Sequence, residues 1–187
     1  MLRQILAISL MSVTALATAD TLDIGLSNTT AQFKYGVPSG VSSKSEVYAE
    51  LMYSNVNSVI GGLGLLVAND ESKAGLTLGF GIKAVAGSVK ATPTRNNASS
   101  AALGVQVRYE LPAERRVAIA GELYYGPEII TFGDAKRYQQ YGARVEFSAS
   151  PQVQVYAGYR KSYFTLKATG ADSVVINGPH VGMQLSF

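Results

Sequence analysis

The sequence predicts an all-β protein: a transmembrane antiparallel up-and-down β-barrel preceded by a cleaved signal peptide. Three observations support this prediction: an apolar leader, period-2 alternation of apolar and polar residues through the rest of the chain, and a last strand that reaches Phe187. Chain ends are usually polar and frayed because little holds them in place. An apolar terminus in strict alternation therefore indicates a strand held in a sheet against apolar surroundings.

Residues 1–19 have the pattern of a secretory signal peptide. A basic residue opens the segment, an apolar run follows, and Ala17 and Ala19 form a small-x-small cleavage site before Asp20. The apolar run is too short to span a bilayer comfortably, which argues against the alternative of a helical N-terminal anchor. The predicted domains are therefore a signal peptide, residues 1–19, and a transmembrane β-barrel, residues 20–187.

The composition narrows the function classes. The chain has no cysteine, so disulfides do not stabilise it. It carries 16 basic and 13 acidic residues, and one of the basic residues lies in the leader, so the exported part has a net charge of +2. This charge is too weak and too scattered for nucleic-acid binding. Beyond the leader no segment is long and apolar enough for a membrane helix, so any membrane crossing is expected to use strands.

Strand signals separated by turn residues repeat from residue 21 to the end of the chain. Counting back from the C-terminus predicts eight strands, at about 46–54, 59–68, 74–91, 99–111, 116–126, 136–149, 152–166 and 175–187. Two shorter candidates, "TLDIGLS" and "AQFKYGV", flank Asn28-Thr29-Thr30. Ten strands is an even number that places both chain ends on the periplasmic side. Eight strands is the alternative, with an N-terminal segment outside the sheet, and the long 38–45 link is the weakest point of the ten-strand layout.

The two faces of these strands differ in chemistry. One face carries mainly Val, Leu, Ile, Ala, Tyr and Phe, and the other carries Gly, Gln, Ser and charges. Alternation alone fits either a soluble barrel or a membrane barrel with the faces inverted. Aromatic residues near the strand ends of the apolar face favour the membrane barrel, because they suit interfacial girdles: Tyr53, Tyr109, Tyr125, Phe147 and Phe187. A soluble periplasmic ligand-binding barrel remains the minor alternative.

The charges of the polar face form the strongest functional candidate. They include acids and bases in equal number, as a narrow lumen with mutually neutralising pairs requires. The predicted lumen charge network is Glu50, Lys83, Arg108, Glu110, Glu122, Arg144, Glu146 and Arg160. One interpretation is a salt-bridged plug that keeps the barrel closed, and the other is a pore lining that selects ions or small solutes. The plug is favoured because a ten-strand barrel is far narrower than barrels with wide channels.

The final octet, "HVGMQLSF", resembles the signal that the bacterial outer-membrane assembly machinery reads. That signal has a polar residue, a glycine two positions later, and two apolar or aromatic residues spaced by one. His180, Gly182, Leu185 and Phe187 fill these places. The resemblance implies the assembly machinery as a partner.

More broadly, the chain resembles the YfaZ family of outer-membrane proteins. The stretches that carry the resemblance are "GELYYGPE" at Gly121–Glu128, "AGYR" at Ala157–Arg160 and "GPHVGMQLSF" at Gly178–Phe187. The resemblance implies a small barrel, without an assigned activity, in a Gram-negative-type outer membrane. We expect a monomer surrounded by outer-membrane lipid and lipopolysaccharide.

Two candidate catalytic sites fail on spacing. His180, the sole histidine, would be the base of a Ser-His-Asp hydrolase, but positions 178 and 182 on the same strand face are both glycine. Glu122 and Glu128 are six residues apart, about 20 Å along a strand, so they cannot flank one glycosidic bond. We therefore expect no enzyme, no cofactor and no metal. The leading hypothesis is a structural or interaction protein, followed by a narrow channel, and then by a lipid- or peptide-modifying enzyme.

Overall fold

The computed structural model describes residues 20–41, 45–55, 58–69, 75–91 and 94–187. The predicted signal peptide, with its cleavage positions Ala17 and Ala19, lies outside the described residues. Among the described residues, no helix has the length and apolarity needed to cross a bilayer.

Within the described ranges, ten long strands and one strand of three residues form the fold. In chain order they are β1 (Thr21–Ser27), β2 (Thr30–Pro38), β3 (Glu46–Ser54), β4 (Ser58–Ala68), β5 (Leu76–Ala91), β6 (Thr94–Leu111), β7 (Glu114–Gly126), β8 (Thr131–Gly133), β9 (Ala135–Ser148), β10 (Val153–Leu166) and β11 (Asp172–Ser186). One turn of 3-10 helix, Glu128–Ile130, precedes β8. The two short N-terminal candidates are strands of the sheet, so the ten-strand prediction is confirmed over the eight-strand alternative.

The sheet closes on itself through antiparallel pairs. Each long strand pairs with its sequence neighbours, β5 pairs with β6, and β1 pairs with β11 from Thr21↔Ser186 to Ser27↔His180. Because the sheet is closed, none of the described long strands has an unpaired edge. An unpaired edge is not tolerated in a sheet embedded in a membrane. We call the end where β1 begins and β11 finishes the terminal end, and the opposite end the hairpin end.

The structure extends two predicted elements at the hairpin end. Strand β6 begins at Thr94 rather than near residue 99, because Ala98 continues the alternation and is buried inside. The predicted 127–135 loop contains the 3-10 turn and β8, which pairs with β6 from Ala98 to Ser100. Both differences arise because the sheet continues at the hairpin end with polar residues, and the composition of these residues resembles that of a loop.

The apolar face points outward. Large side chains such as Leu63 and Phe80 are two-thirds exposed on the outer wall. All the predicted girdle residues also face outward and are well exposed: Tyr53, Tyr109, Tyr125, Phe147 and Phe187. An apolar exterior with a polar interior is the arrangement of a membrane barrel and the reverse of a soluble one.

Candidate functional site

The hairpin half of the lumen is filled by apolar side chains, which we call the apolar cap. Its members point inward from the hairpin-side halves of their strands and pack into one buried cluster. They are Met52, Ile60, Val85, Val89, Ala98, Ala102, Tyr124, Ala135, Tyr138, Phe164, Leu166, Val175 and Ile176. The rings of Tyr138 and Phe164 lie 4.8 Å apart and are both fully buried. This part of the interior is therefore packed like a protein core.

Lys83 lies directly beneath the apolar cap and is 2% exposed. Its Nζ is 2.9 Å from Glu50 Oε1 and donates to Gln140 Oε1 at 2.7 Å. Tyr138 of the cap also donates to Gln140 Oε1, at 2.6 Å. The buried ammonium is thus held by one full charge and one amide, which offset the cost of burying it.

The contacts of Lys83 extend into a closed polar ring across the lumen. Gln140 Nε2 donates to Glu122 Oε1 at 2.8 Å, and Arg160 Nε lies 2.9 Å from the same oxygen. Arg160 also donates to Gln32 Oε1, and Gln32 Nε2 donates to Glu50 Oε2 at 3.4 Å. The ring contains two acids, two bases and two amides, so its formal charge is zero.

A second group of charges, the lower ion cluster, lies nearer the terminal end. Glu146 is almost fully buried, and its two oxygens are each 2.7 Å from an arginine, Arg108 Nε and Arg144 Nε. Arg108 also pairs with Glu110, and Arg144 Nη1 lies 3.3 Å from Asp23 Oδ2. Because one carboxylate bridges two guanidinium groups, the cluster is cross-linked rather than a set of separate pairs.

Three tyrosines of the inner wall lie against glycines of the neighbouring strand. Tyr124 pairs with Gly104, which pairs in turn with Gly81. A Cβ added at Gly104 would lie 2.2 Å from Tyr124 Cδ1, so only glycine fits there. The same arrangement occurs for Tyr48 on Gly64 and for Tyr156 on Gly182 and Gly25.

Each of these rings also carries a cation. Lys34 Nζ lies 4.2 Å from the Tyr48 centroid, and Lys83 Nζ lies 4.6 Å from the Tyr124 centroid. Arg144 takes the same position over Tyr156, at 4.5 Å. The inner wall is thus layered, with glycine, then tyrosine, then a cation and its acid, and cation–π attraction adds to the ion pairs.

A cavity of about 310 Å³ occupies the terminal half of the lumen. Thr21, Ala68 and Thr77 line it near the terminal end, and Lys83 and Gln140 of the polar ring line its inner limit. The apolar cap lies beyond that limit, so the cavity is blind toward the hairpin end and extends toward the terminal end.

His180 lines this cavity and is 8% exposed. Its ring meets Tyr156 edge-on at 5.6 Å. Neither ring nitrogen has a hydrogen-bond partner among the described residues. The side chains described around it therefore do not form a Ser-His-Asp array, which needs both nitrogens engaged.

The predicted assembly-signal residues divide between the two faces of β11. His180 and Gly182 face the lumen, where Gly182 leaves room for Tyr156. Leu185 and Phe187 face outward, and Phe187 is exposed. Their role as a signal remains a prediction.

The eight predicted network residues all face the lumen, and each is in at least one ion pair. They do not form one network, because they divide between the polar ring and the lower ion cluster. Glu128 lies outside the lumen, on the exposed β7–β9 link, 3.6 Å from Lys136.

Sequence reasoning missed several lumen residues near the N-terminus. Asp23 belongs to the lower ion cluster, and Lys34 pairs with Glu46 on the opposite strand. Gln32 and Gln140, which close the polar ring, were not singled out either. The same period-2 alternation could have found them, because Gln32 and Lys34 alternate with the outward-facing Phe33 and Tyr35 of β2.

Comparison with known proteins gives one family and several barrels. The model of the family described as "YfaZ precursor" matches residues 2–187. Outer membrane protein YfaZ of Escherichia coli (strain K12) is 30% identical over 88 residues, which are 47% of this chain and 47% of that protein. The matched segment therefore spans about half the length of this curated relative.

Two solved porins have a similar architecture. The NanC porin is 11% identical with a TM-score of 0.49, over 91% of this chain and 100% of that chain. The KdgM porin is 10% identical with a TM-score of 0.47, over 90% and 99% of the two chains.

Proposed function

The chain belongs to the YfaZ family of outer-membrane proteins, and from this premise we propose that it acts there as a closed barrel with a structural or interaction role. The observation that carries the proposal is the sequence of two barriers along the lumen. The apolar cap fills the hairpin half, and the neutral polar ring lies directly beneath it.

Each barrier opposes ion passage for a different reason. A hydrated ion that enters the apolar cap loses most of its water and gains only a few hydroxyl partners, such as Tyr138 and Ser162, which costs several kcal/mol. An ion that crosses the polar ring must separate buried charges such as Lys83 and Glu50, and each separated charge then lacks its partner. The two barriers act in series, so opening one of them does not by itself open the lumen.

Planar-bilayer recording of the purified, refolded protein tests the proposal. We expect no discrete current steps from barrels whose insertion is verified by heat-modifiable migration on gels. Phe164→Ala combined with Tyr138→Ala removes two large rings of the cap, and it also removes the Tyr138 hydroxyl that donates to Gln140 of the polar ring. The variant therefore weakens both barriers, and we expect it to give brief openings. Discrete steps of the unmodified barrel whose size changes in Glu122→Gln or Arg144→Gln would overturn the proposal.

A narrow channel is the second candidate, and the polar cavity favours it. A pathway that starts from this cavity would be complete after a rearrangement of the polar ring and the cap. The curated relative is named an outer-membrane protein, and this name does not describe an enzyme.

The proposal also covers the surroundings of the barrel. The closed sheet supports a monomer embedded in outer-membrane lipid and lipopolysaccharide, because none of the long strands that the structure describes has an unpaired edge for a second copy. The exposed Phe187 at the end of β11 supports a contact with the outer-membrane assembly machinery before closure.

A further inference from the structure

The cavity in the terminal half of the lumen combines dense polarity with balanced charge. Each charged residue that lines it contacts a residue of opposite charge. The pairs are Lys34–Glu46, Lys83–Glu50, Arg108–Glu146, Arg144–Glu146, Arg144–Asp23 and Arg160–Glu122. A charged ligand would therefore compete with existing ion pairs, whereas an uncharged ligand would leave them in place.

Two residues that line this cavity have side-chain nitrogens without a hydrogen-bond partner among the described residues: His180, at both ring nitrogens, and Arg160, at Nε, which is ion-paired with Glu122. Of the two, His180 has no ion pair among the described residues. It is more than nine-tenths buried and lines the cavity. A neutral imidazole offers one donor and one acceptor, and a hydroxyl group can satisfy both roles. Its neighbour Tyr156 is already engaged, because its hydroxyl donates to Asp23 Oδ1 at 2.5 Å.

Amide side chains add further hydrogen-bond donors and acceptors to the wall of the cavity. Gln106, Gln154 and Gln184 all line the cavity. An amide also offers both donors and an acceptor, and it carries no net charge. Gln106 Nε2 already donates to the Tyr124 hydroxyl and Gln154 Nε2 to Glu146 Oε2, so part of this amide capacity is in use. Balanced charges, the remaining amide capacity and an unengaged imidazole together favour a ligand that has several hydroxyl groups and no charge.

We propose that this cavity binds a small uncharged polyhydroxyl solute, such as a polyol or a neutral monosaccharide, which enters from the terminal end. The volume of about 310 Å³ accommodates a molecule of this size together with a few waters. The cavity is blind toward the hairpin end, so the solute leaves through the terminal end, and the activity is binding rather than transport. This proposal goes beyond the closed-barrel function.

The single histidine gives a direct experiment. Untagged protein labelled with ¹⁵N-histidine, refolded in detergent micelles, shows one imidazole to nuclear magnetic resonance. Titration with glycerol, and separately with glucose, should shift this resonance and saturate, with a dissociation constant of about 1 mM. Glucuronate and glucosamine, which carry one charge each, should bind at least about tenfold more weakly.

Matched variants separate the cavity from the outer wall. Ala120 faces the cavity and Ile119 faces outward, so Ala120→Phe should abolish the shift and Ile119→Phe should retain it. Gln184→Leu removes one amide without filling the cavity, and should weaken binding severalfold if Ala120→Phe fails to fold.

Several outcomes would overturn the proposal. They are a resonance unchanged by both neutral solutes, a shift that never saturates, or an equal response from Ile119→Phe and Ala120→Phe. Conductance is measured separately, so a barrel that conducts can still bind the solute, and a silent barrel can fail to bind it.

Discussion

The two halves of the lumen are filled in different ways. The hairpin half is filled by apolar side chains, with Phe164, Tyr138 and Met52 fully buried. The terminal half keeps a cavity and is lined by ion pairs whose members are often partly exposed, such as Lys34 and Glu46. Removal of a side chain leaves a dry void in the first half and a space that water can enter in the second. The cost of a substitution should therefore depend on the half in which it lies.

Lys83 stands at the boundary between the halves, and its loss should have the largest effect. Lys83→Met leaves Glu50 buried without its cation, so we expect the free energy of unfolding to fall by about 4 kcal/mol. Urea titration of the barrel in lipid vesicles measures this change. The double variant Lys83→Met with Glu50→Leu removes both charges and should regain most of the loss. Equal losses in the single and double variants would contradict this account.

Phe164 tests the packing of the hairpin half. Phe164→Ala opens a void in the apolar cap, and we expect a loss of about 3 kcal/mol in the same titration. Phe80→Ala on the outer wall is the matched control, because lipid chains fill the space that its ring leaves. Similar losses in these two variants would show that the cap is not close-packed.

Phe187 tests the junction between β1 and β11 at the terminal end. Deletion of Phe187 removes an outward-facing ring and a backbone contact with Asp20, so we expect a severalfold drop in folded barrel in the outer membrane. The heat-modifiable fraction on gels measures the folded amount. Phe187→Leu keeps an apolar end and the backbone contact, and should retain most of it. An unchanged yield after deletion would contradict the proposed role.

Lys34 tests the terminal half, which contains the cavity, and its substitution should have the smallest effect on stability. Lys34→Ala leaves Glu46 beside a cavity that water can enter, so we expect a loss of about 1 kcal/mol. Lys136→Ala outside the lumen breaks an exposed pair with Glu128 and should change stability by less than about 0.5 kcal/mol. A loss as large for Lys34 as for Lys83 would remove the distinction between the halves.

The period-2 pattern was sufficient to predict the strands and the chemistry of the two faces. It placed Glu50, Arg108 and Arg160 inside the barrel without saying which acid meets which base, because partners depend on register and on the closure of the sheet. Strand β6 was predicted too short, because polar residues above the membrane belt resemble a loop.

The apolar cap could not be predicted from alternation. In the hairpin halves of several strands the inward residues are as apolar as the outward ones, as Met52 and Ile60 show. The pattern there loses its contrast between the faces, so the closing of the lumen was assigned to the charges alone. The structure shows that side chains without charge fill that end.

The packing of one tyrosine over two glycines occurs both within the chain and at the junction of its first and last strands. Tyr124 covers Gly104 and Gly81 within three consecutive strands, while Tyr156 covers Gly182 and Gly25, which belong to the last strand and the first. The junction between the two ends of the polypeptide is therefore built like any other part of the wall. Asp20 and Phe187 are already joined by two backbone hydrogen bonds, of 3.0 and 3.1 Å. A circular permutant that links these residues and opens at a distant turn should refold in detergent to the same cylinder, because the wall does not depend on which strand comes first in the chain.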